Sequence, residues 1–252
     1  MISLMLQLLH KRLRSIHFKL LQYLARRNDR FSSAVIPLTW PKTPNRIDLL
    51  NTIIAAGDLQ TYLEIGCDTD ECFSQIVVPH KVGVDPNSGG TVRATSDAFF
   101  ESSREKFDLI FIDGLHVYHQ VIKDIRNSIA HLNPGGVIVL HDCLPLNWAA
   151  HYPFGLIYDY WNGDVWRAIV QARTWLDVDT ATCLIDHGLG IIKVRDNSAP
   201  LEVEYTSFEH LSYDLLAKDY SRLLRAMDYE EALEFAQSAP TKEYSLSLRK
   251  GI

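Results

Sequence analysis

The chain predicts a doubly wound α/β fold built on a mostly parallel sheet, and three observations carry that prediction. First, Tyr62-Leu63-Glu64-Ile65-Gly66, Phe107-Asp108-Leu109-Ile110-Phe111-Ile112-Asp113 and Gly136-Val137-Ile138-Val139-Leu140-His141-Asp142 are short, largely apolar runs that end in polar residues or glycine. Near-continuous apolar runs of this length are what strands buried on both faces require. The polar residues then fall at the carboxyl ends, the edge where open α/β sheets bind ligands. Second, strand-like and helix-like segments alternate along the chain, which implies right-handed crossovers and parallel strands. Third, Asp186-His187-Gly188 leaves room only for a tight turn between the last two strands, so those two must be antiparallel.

The elements follow in order. Residues 3–27 read as an amphipathic helix: Leu6, Leu9, Leu13, Ile16, Leu20 and Tyr23 form one apolar seam, with Lys11, Arg12, Arg14, Lys19, Arg26 and Arg27 on the other faces. Two readings are open for residues 1–30. The helix packs on its own domain or on a second subunit, giving a homo-oligomer, or it lies peripherally on an anionic membrane surface. Pro37, Pro41 and Pro44 make 31–45 an extended linker. Helices are expected at 46–56, 70–77, 97–104, 117–132 and 163–173, and strands at 60–65, 81–85, 91–94, 107–113, 136–141, 175–184 and 188–195. Asn133-Pro134-Gly135-Gly136 ends the fourth of those helices and turns the chain into the next strand. Beyond Pro200 the composition is charged and helical over 207–237, and the last dozen residues read as a loose tail.

Composition narrows the function classes. The 252 residues carry 25 Lys and Arg against 31 Asp and Glu, a formal net charge of -6, which argues against a nucleic-acid partner held through phosphates. The charge is uneven: residues 1–30 hold seven of the basic residues and one acid. Cys67, Cys72, Cys143 and Cys183 form no CxxC pair, so a zinc ribbon is not expected and the usage fits a reducing cytoplasm. Nothing approaches the 18 or so apolar residues of a membrane span. The basic residues lie within and after the apolar positions of the N-terminus, unlike a secretory signal.

Several motifs together are similar to class I S-adenosylmethionine-dependent methyltransferases over residues 45–195. They are Glu64-Ile65-Gly66, Val82-Gly83-Val84-Asp85-Pro86, Ser96-Asp97, and the pairs Asp113/His116 and His141/Asp142. Among these enzymes the chain resembles the metal-dependent O-methyltransferases, including sugar-modifying ones of the macrocin type. The resemblance implies a Rossmann-like seven-stranded sheet in the order 3-2-1-4-5-7-6, its last strand antiparallel. A methyltransferase domain at 46–198 would then carry helical extensions at both ends, the second at 199–252. It further implies that Glu64, Gly66, Asp85, Pro86, Ser96, Asp97 and Asp113 bind S-adenosylmethionine, Asp85 by accepting both ribose hydroxyls. Asp85 as a turn cap before Pro86, and Ser96-Asp97 as a plain N-cap, are the alternatives.

Asp113, His141 and Asp142 map onto the positions that hold Mg²⁺ or another divalent metal. His141 stands where glutamate is common, which favours a softer ion or none. His116, with an unperturbed pKa of about 6.5, would remove the proton from an acceptor hydroxyl. Catalytic roles thus fall on His116, Asp113 and His141, and His119 is expected in an outer or surface position. Trp161-Asn162-Gly163-Asp164-Val165-Trp166-Arg167 is either a stacking platform for the acceptor or packed core with a helix start. The chain departs from the family at Asp68-Thr69-Asp70-Glu71, where more glycines are usual. The acceptor class implied is a sugar or other small hydroxylated molecule, as in surface-polysaccharide or natural-product synthesis. A catalytically silent scaffold is the alternative. A nicotinamide enzyme is disfavoured, because no GxGxxG follows the first strand.

Overall fold

The computed structural model describes residues 31–152, 161–205 and 207–238; the helix expected at 3–27 and the tail expected after 240 lie outside them. Helix α1 (Arg46–Gly57) starts at a reciprocal capping box of Asn45 and Asp48 and buries Leu49, Leu50, Ile53 and Ile54, one face of a 3.6-residue period. The strands are β1 (Thr61–Ile65), β2 (His80–Val84), β3 (Phe107–Ile112), β4 (Leu132–Leu140), β5 (Val178–Cys183), β6 (Leu189–Val194) and β7 (Ala226–Met227). They form one sheet in the order β2-β1-β3-β4-β6-β5-β7. β6 runs antiparallel to both β4 and β5. The remaining helices are α2 (Ser96–Ser102), α3 (Tyr118–Ala130), α4 (Trp148–His151), α5 (Val165–Ala172), α6 (Tyr213–Leu224) and α7 (Tyr229–Gln237).

Alternation along each strand splits the core into two layers. Leu63, Ile65, Ile110 and Ile112 pack with the α2, α3, α5 and α6 side, while Tyr62, Leu109 and Phe111 pack with α1 and α7. No helix among the described residues is long and apolar enough to cross a membrane.

The sheet has the expected type and strand order, with two changes at its edges. The strand expected at 91–94 shrinks to a single bridge between Val84 and Val92. Thr95 caps α2 immediately afterwards and leaves no length for a ladder. The opposite edge gains β7, parallel to β5. The C-terminal segment therefore contributes a strand to the sheet between its two helices, beyond the purely helical extension expected. The stretch expected as linker also packs on the domain: Ile36 is fully buried and its amide donates to Leu146 O over 2.9 Å. The helix expected at 70–77 is only a 3₁₀ turn at Phe73–Gln75. Asp68 and Asp70 sit at φ +45° and +62°, a conformation that cannot propagate a right-handed helix.

Register decides what the sheet presents. Ile65 pairs with Ile112, and Ile112 with Leu140, at the ends of β1, β3 and β4. The ladder runs one residue further, with Asp113 N donating to Ile65 O over 2.8 Å and His141 N to Ile112 O over 3.0 Å. Gly66, Asp113 and His141 thus stand side by side at the carboxyl edge. Because β6 is antiparallel to β4, the β5–β6 turn returns to that same edge, where Cys143 N donates to Gly188 O over 2.9 Å.

Candidate active site

Asp113, His116, His141 and Asp142 converge as the sequence predicts. His116 Nε2 and His141 Nδ1 each lie 3.2 Å from the same oxygen, Asp113 Oδ1. Asp142 Oδ2 lies 3.2 Å from His116 Nδ1 and 3.2 Å from His141 Nδ1. The cluster also meets residues around it. His116 Nδ1 is 2.7 Å from Trp161 O, and Asn162 Nδ2 donates to Asp142 Oδ1 over 2.7 Å. His141 Nε2 faces Asp186 Oδ1 at 3.4 Å. Asp142 is held at φ +60°, an uncommon conformation for a non-glycine residue that fits a functional constraint.

The charges reinforce one another. Burial opposes the cationic form of His116, but its hydrogen bond to Asp113 and the charges of Asp142 and Asp113 overcome that and raise it to about 9. His141 is likewise pushed well up against burial by Asp113 and Asp142. Burial disfavours the charged form of Asp113, yet the two histidines hold its carboxyl far below the usual range. In a cation-free cluster the histidine protons thus supply the positive charge that the carboxylates demand.

Asp113, His141 and Asp142 each offer one ligand atom, all within 4.8 Å of one another. Two carboxylates and an imidazole fit a divalent ion of the transition series, such as Mn²⁺ or Fe²⁺, better than Mg²⁺, which prefers oxygen alone.

Three participants escaped the sequence reading. Asp186 was read only as part of a turn, although antiparallel pairing of the last strand brings that turn to this edge. Arg46, at the start of α1, donates its backbone N–H to Asp186 Oδ2 over 2.9 Å and its Nη1–H to the same oxygen over 3.2 Å. Asn162, 1% exposed, carries no spacing signal relative to Asp142. The 161–164 segment packs closely on His116: a Cβ on Gly163 would sit 1.9 Å from His116 O. Trp161 lies beside His116 with ring centroids 5.2 Å apart, whereas Trp166 is fully buried and bonds His151. Trp166 therefore fills core, while Trp161 is partly buried next to His116. His119 is exposed and pairs with Glu209.

The residues assigned to the cofactor are arranged differently. Gly66, at φ +88°, is required, because a Cβ there would lie 2.2 Å from Asp113 O. Glu64 is 1% exposed and accepts from the Tyr62 hydroxyl at 2.5 Å. Burial pushes its carboxyl up to about 7 against that hydrogen bond, with the charge of Asp113 adding to the rise. Asp85 Oδ2 accepts from the amides of Cys67 and Asp68, both at 3.1 Å, and Oδ1 from those of Asn87 at 2.7 Å and Ser88 at 2.9 Å. Its acceptor capacity is thus used within its own loops, the turn-capping alternative extended to two loops. Pro86 is exposed beside it. Asp70 Oδ1 accepts from Gly90 N over 2.7 Å, closing the acidic loop onto the loop after β2. Ser96 and Asp97 bond to Gln120 on α3 over 3.2 and 3.0 Å. The cap of α2 is Thr95, one residue before Ser96 and two before Asp97.

Comparison with known proteins follows the same outline. A methyltransferase-domain family matches residues 54–143, from the end of α1 to the residue after Asp142. Over that stretch the chain is similar to a methyltransferase domain. An uncharacterized protein of Sinorhizobium fredii is 27% identical over 122 residues, which cover 47% of this chain and only 12% of that protein. Among solved structures, an O-methyltransferase from Bacillus cereus in complex with S-adenosylhomocysteine superimposes with a TM-score of 0.46 at 14% identity, covering 70% of this chain and 89% of that one. An S-adenosylhomocysteine-bound methyltransferase of Podospora anserina gives 0.43 at 16% identity, covering 57% and 76%.

Proposed function

We propose that the protein transfers a methyl group from S-adenosylmethionine to a hydroxyl oxygen, with a divalent cation held by Asp113, His141 and Asp142. The observation that carries this reading is the convergence of two histidines and two carboxylates at the ends of β3 and β4, beside Gly66 at the end of β1. When bound, S-adenosylmethionine supplies the electrophilic methyl group and the cation lowers the pKa of the acceptor hydroxyl. The chain's own residues do the rest. Gly66 lets the β1 loop approach Asp113, so cofactor loop and acceptor site share one wall. Trp161 O fixes Nδ1 of His116, and Nε2, which faces Asp113 Oδ1 at 3.2 Å, would take the acceptor's proton once a bound cation has replaced the histidine's own positive charge. Asn162 holds one oxygen of Asp142 and leaves the other facing the cluster. By resemblance, the acceptor class is a sugar or another small hydroxylated molecule. The basic segment 1–30 would serve association, with a second copy of the chain or with an anionic membrane surface at the inner face. Comparing oligomer size and liposome binding of the full chain with a variant lacking 1–30 tests both; no change in either removes both readings.

A second reading has its own observation. With Asp85 saturated by four backbone amides and Asp70 latched to Gly90, the cofactor loops are closed on themselves, as suits a relative that binds S-adenosylmethionine weakly and acts as a scaffold. Calorimetry with S-adenosylhomocysteine, with nicotinamide dinucleotide as the control, separates the two. The enzyme reading expects saturable binding of the first and none of the second. Absence of both leaves the scaffold.

A further inference from the structure

We propose that Asp186, anchored by Arg46, is a positioning residue that fixes the tautomer of His141 so that its Nδ1 lone pair faces Asp113 and Asp142; this rests on the cation reading given above. His141 is a buried side chain with two distinguishable nitrogens. Nδ1 lies 3.2 Å from Asp113 Oδ1 and 3.2 Å from Asp142 Oδ2. Nε2 has no hydrogen-bond partner of good geometry among the described residues, and the acid in front of it is Asp186 Oδ1 at 3.4 Å. Such contacts are commonly long in unliganded sites and tighten on loading. With a cation held among Asp113, Asp142 and Nδ1, that nitrogen would carry no proton, and Asp186, a carboxylate that can only accept, would receive the proton on Nε2. That tautomer is the one that leaves Nδ1 free to act as a ligand.

Arg46 makes the arrangement directional. It offers Asp186 only donors, its backbone N–H and its guanidinium. The backbone N–H and the shorter guanidinium contact both go to Oδ2, with Nη1 also 3.4 Å from Oδ1, so an amide at position 186 places its oxygen where Oδ2 stands. The turn itself holds the side chain in place: Asp186 and His187 are left-handed at φ +41° and +64°, and Leu144 N donates to His187 O over 2.8 Å. The chain thus joins α1, the β5–β6 turn and the end of β4 through one line of charge, Arg46 to Asp186 to His141.

The substitution Asp186→Asn follows from this geometry. The amide keeps the shape and must turn its oxygen to Arg46, so its NH₂ faces His141 Nε2. That donor selects the opposite tautomer, with a proton on Nδ1 pointing into the cation site. A role confined to holding the turn would be rescued by this isostere; a tautomer role would not. The test is Mn²⁺ titration followed by electron paramagnetic resonance on the full chain, comparing wild type, Asp186→Asn and Asp186→Ala. Asp186→Asn is expected to weaken Mn²⁺ binding by about 10–100-fold, at least as much as Asp186→Ala. Wild-type affinity in Asp186→Asn overturns the tautomer role and leaves the cation reading standing. A wild type that takes up no Mn²⁺ overturns both. A measurement free of any variant is ¹⁵N imidazole spectroscopy on the wild type loaded with Zn²⁺ as a diamagnetic probe. The expected pattern for His141 is a metal-bound Nδ1 and a protonated Nε2, and the reverse pattern overturns the proposal.

Discussion

Two groups of acids stand side by side at the carboxyl edge of this sheet, and their surroundings differ in kind. In the loops after β1 and β2, Asp85 and Asp70 accept from backbone amides of those same loops. After β3 and β4, Asp113 and Asp142 face histidines instead, and the cluster is hydrogen-bonded to Trp161 and Asn162 and faces Asp186 across 3.4 Å. The first group is complete without a ligand; carboxylates that accept several amide hydrogen bonds are stable as they are. The second is complete only with added positive charge, from protons or from a cation. Acidic residues at the right edge are therefore not equivalent signals: what matters is whether the backbone has already used them.

The contrast can be broken at several points. The largest effect is expected at the histidine of the second group. His116→Ala should bind S-adenosylhomocysteine and cation as the wild type does, while turnover falls by roughly 10²–10⁴-fold; full turnover would return His116 to a structural role. The wall between the two groups comes next. Gly66→Ala places a Cβ against the Asp113 carbonyl and should cost about 3 kcal/mol or more in urea unfolding, with near-wild-type stability showing that the two loops move independently.

The pH response separates the groups by sign. His116, raised to about 9, contributes stability to the cation-free protein that is fully present below its unfolded value of about 6.5 and lost as pH rises through about 9. Asp85 is lowered by its backbone hydrogen bonds, which overcome the opposing effect of burial, so its contribution is lost only as pH falls below the ordinary carboxylate range. Unfolding curves should thus show an alkaline loss of on the order of a few kcal/mol that His116→Gln reduces, leaving the part carried by His141, and that Asp85→Asn leaves in place. The smallest effect sharpens the cofactor side. Asp85→Ala should weaken S-adenosylhomocysteine binding by about 1–3 kcal/mol, and affinity unchanged in a folded variant would confine Asp85 to the loop.

Much of this was legible in the sequence, for identifiable reasons. Apolar runs such as Leu109–Ile112 and Val137–Leu140 encode buried parallel strands, and each hands a polar residue to the edge, so Asp113, His116, His141 and Asp142 could be named in advance. Asp186 was implied by the antiparallel last strand but was hidden by its role in the turn. Asn162 was not legible, since its approach to Asp142 depends on how the chain returns to α5. The true state of Asp85 was not legible either. A motif shows that an acid ends the strand, but not that left-handed residues at 68 and 70 fold the neighbouring amides around it.

The most direct test of the account is titration of Mn²⁺ into protein saturated with S-adenosylhomocysteine, wild type against Asp142→Ala. The expected result is a single saturable site in the wild type that is lost in Asp142→Ala, with S-adenosylhomocysteine affinity the same in both. Equal Mn²⁺ binding by the two proteins, or no site in the wild type, would contradict a cation held between Asp113, His141 and Asp142.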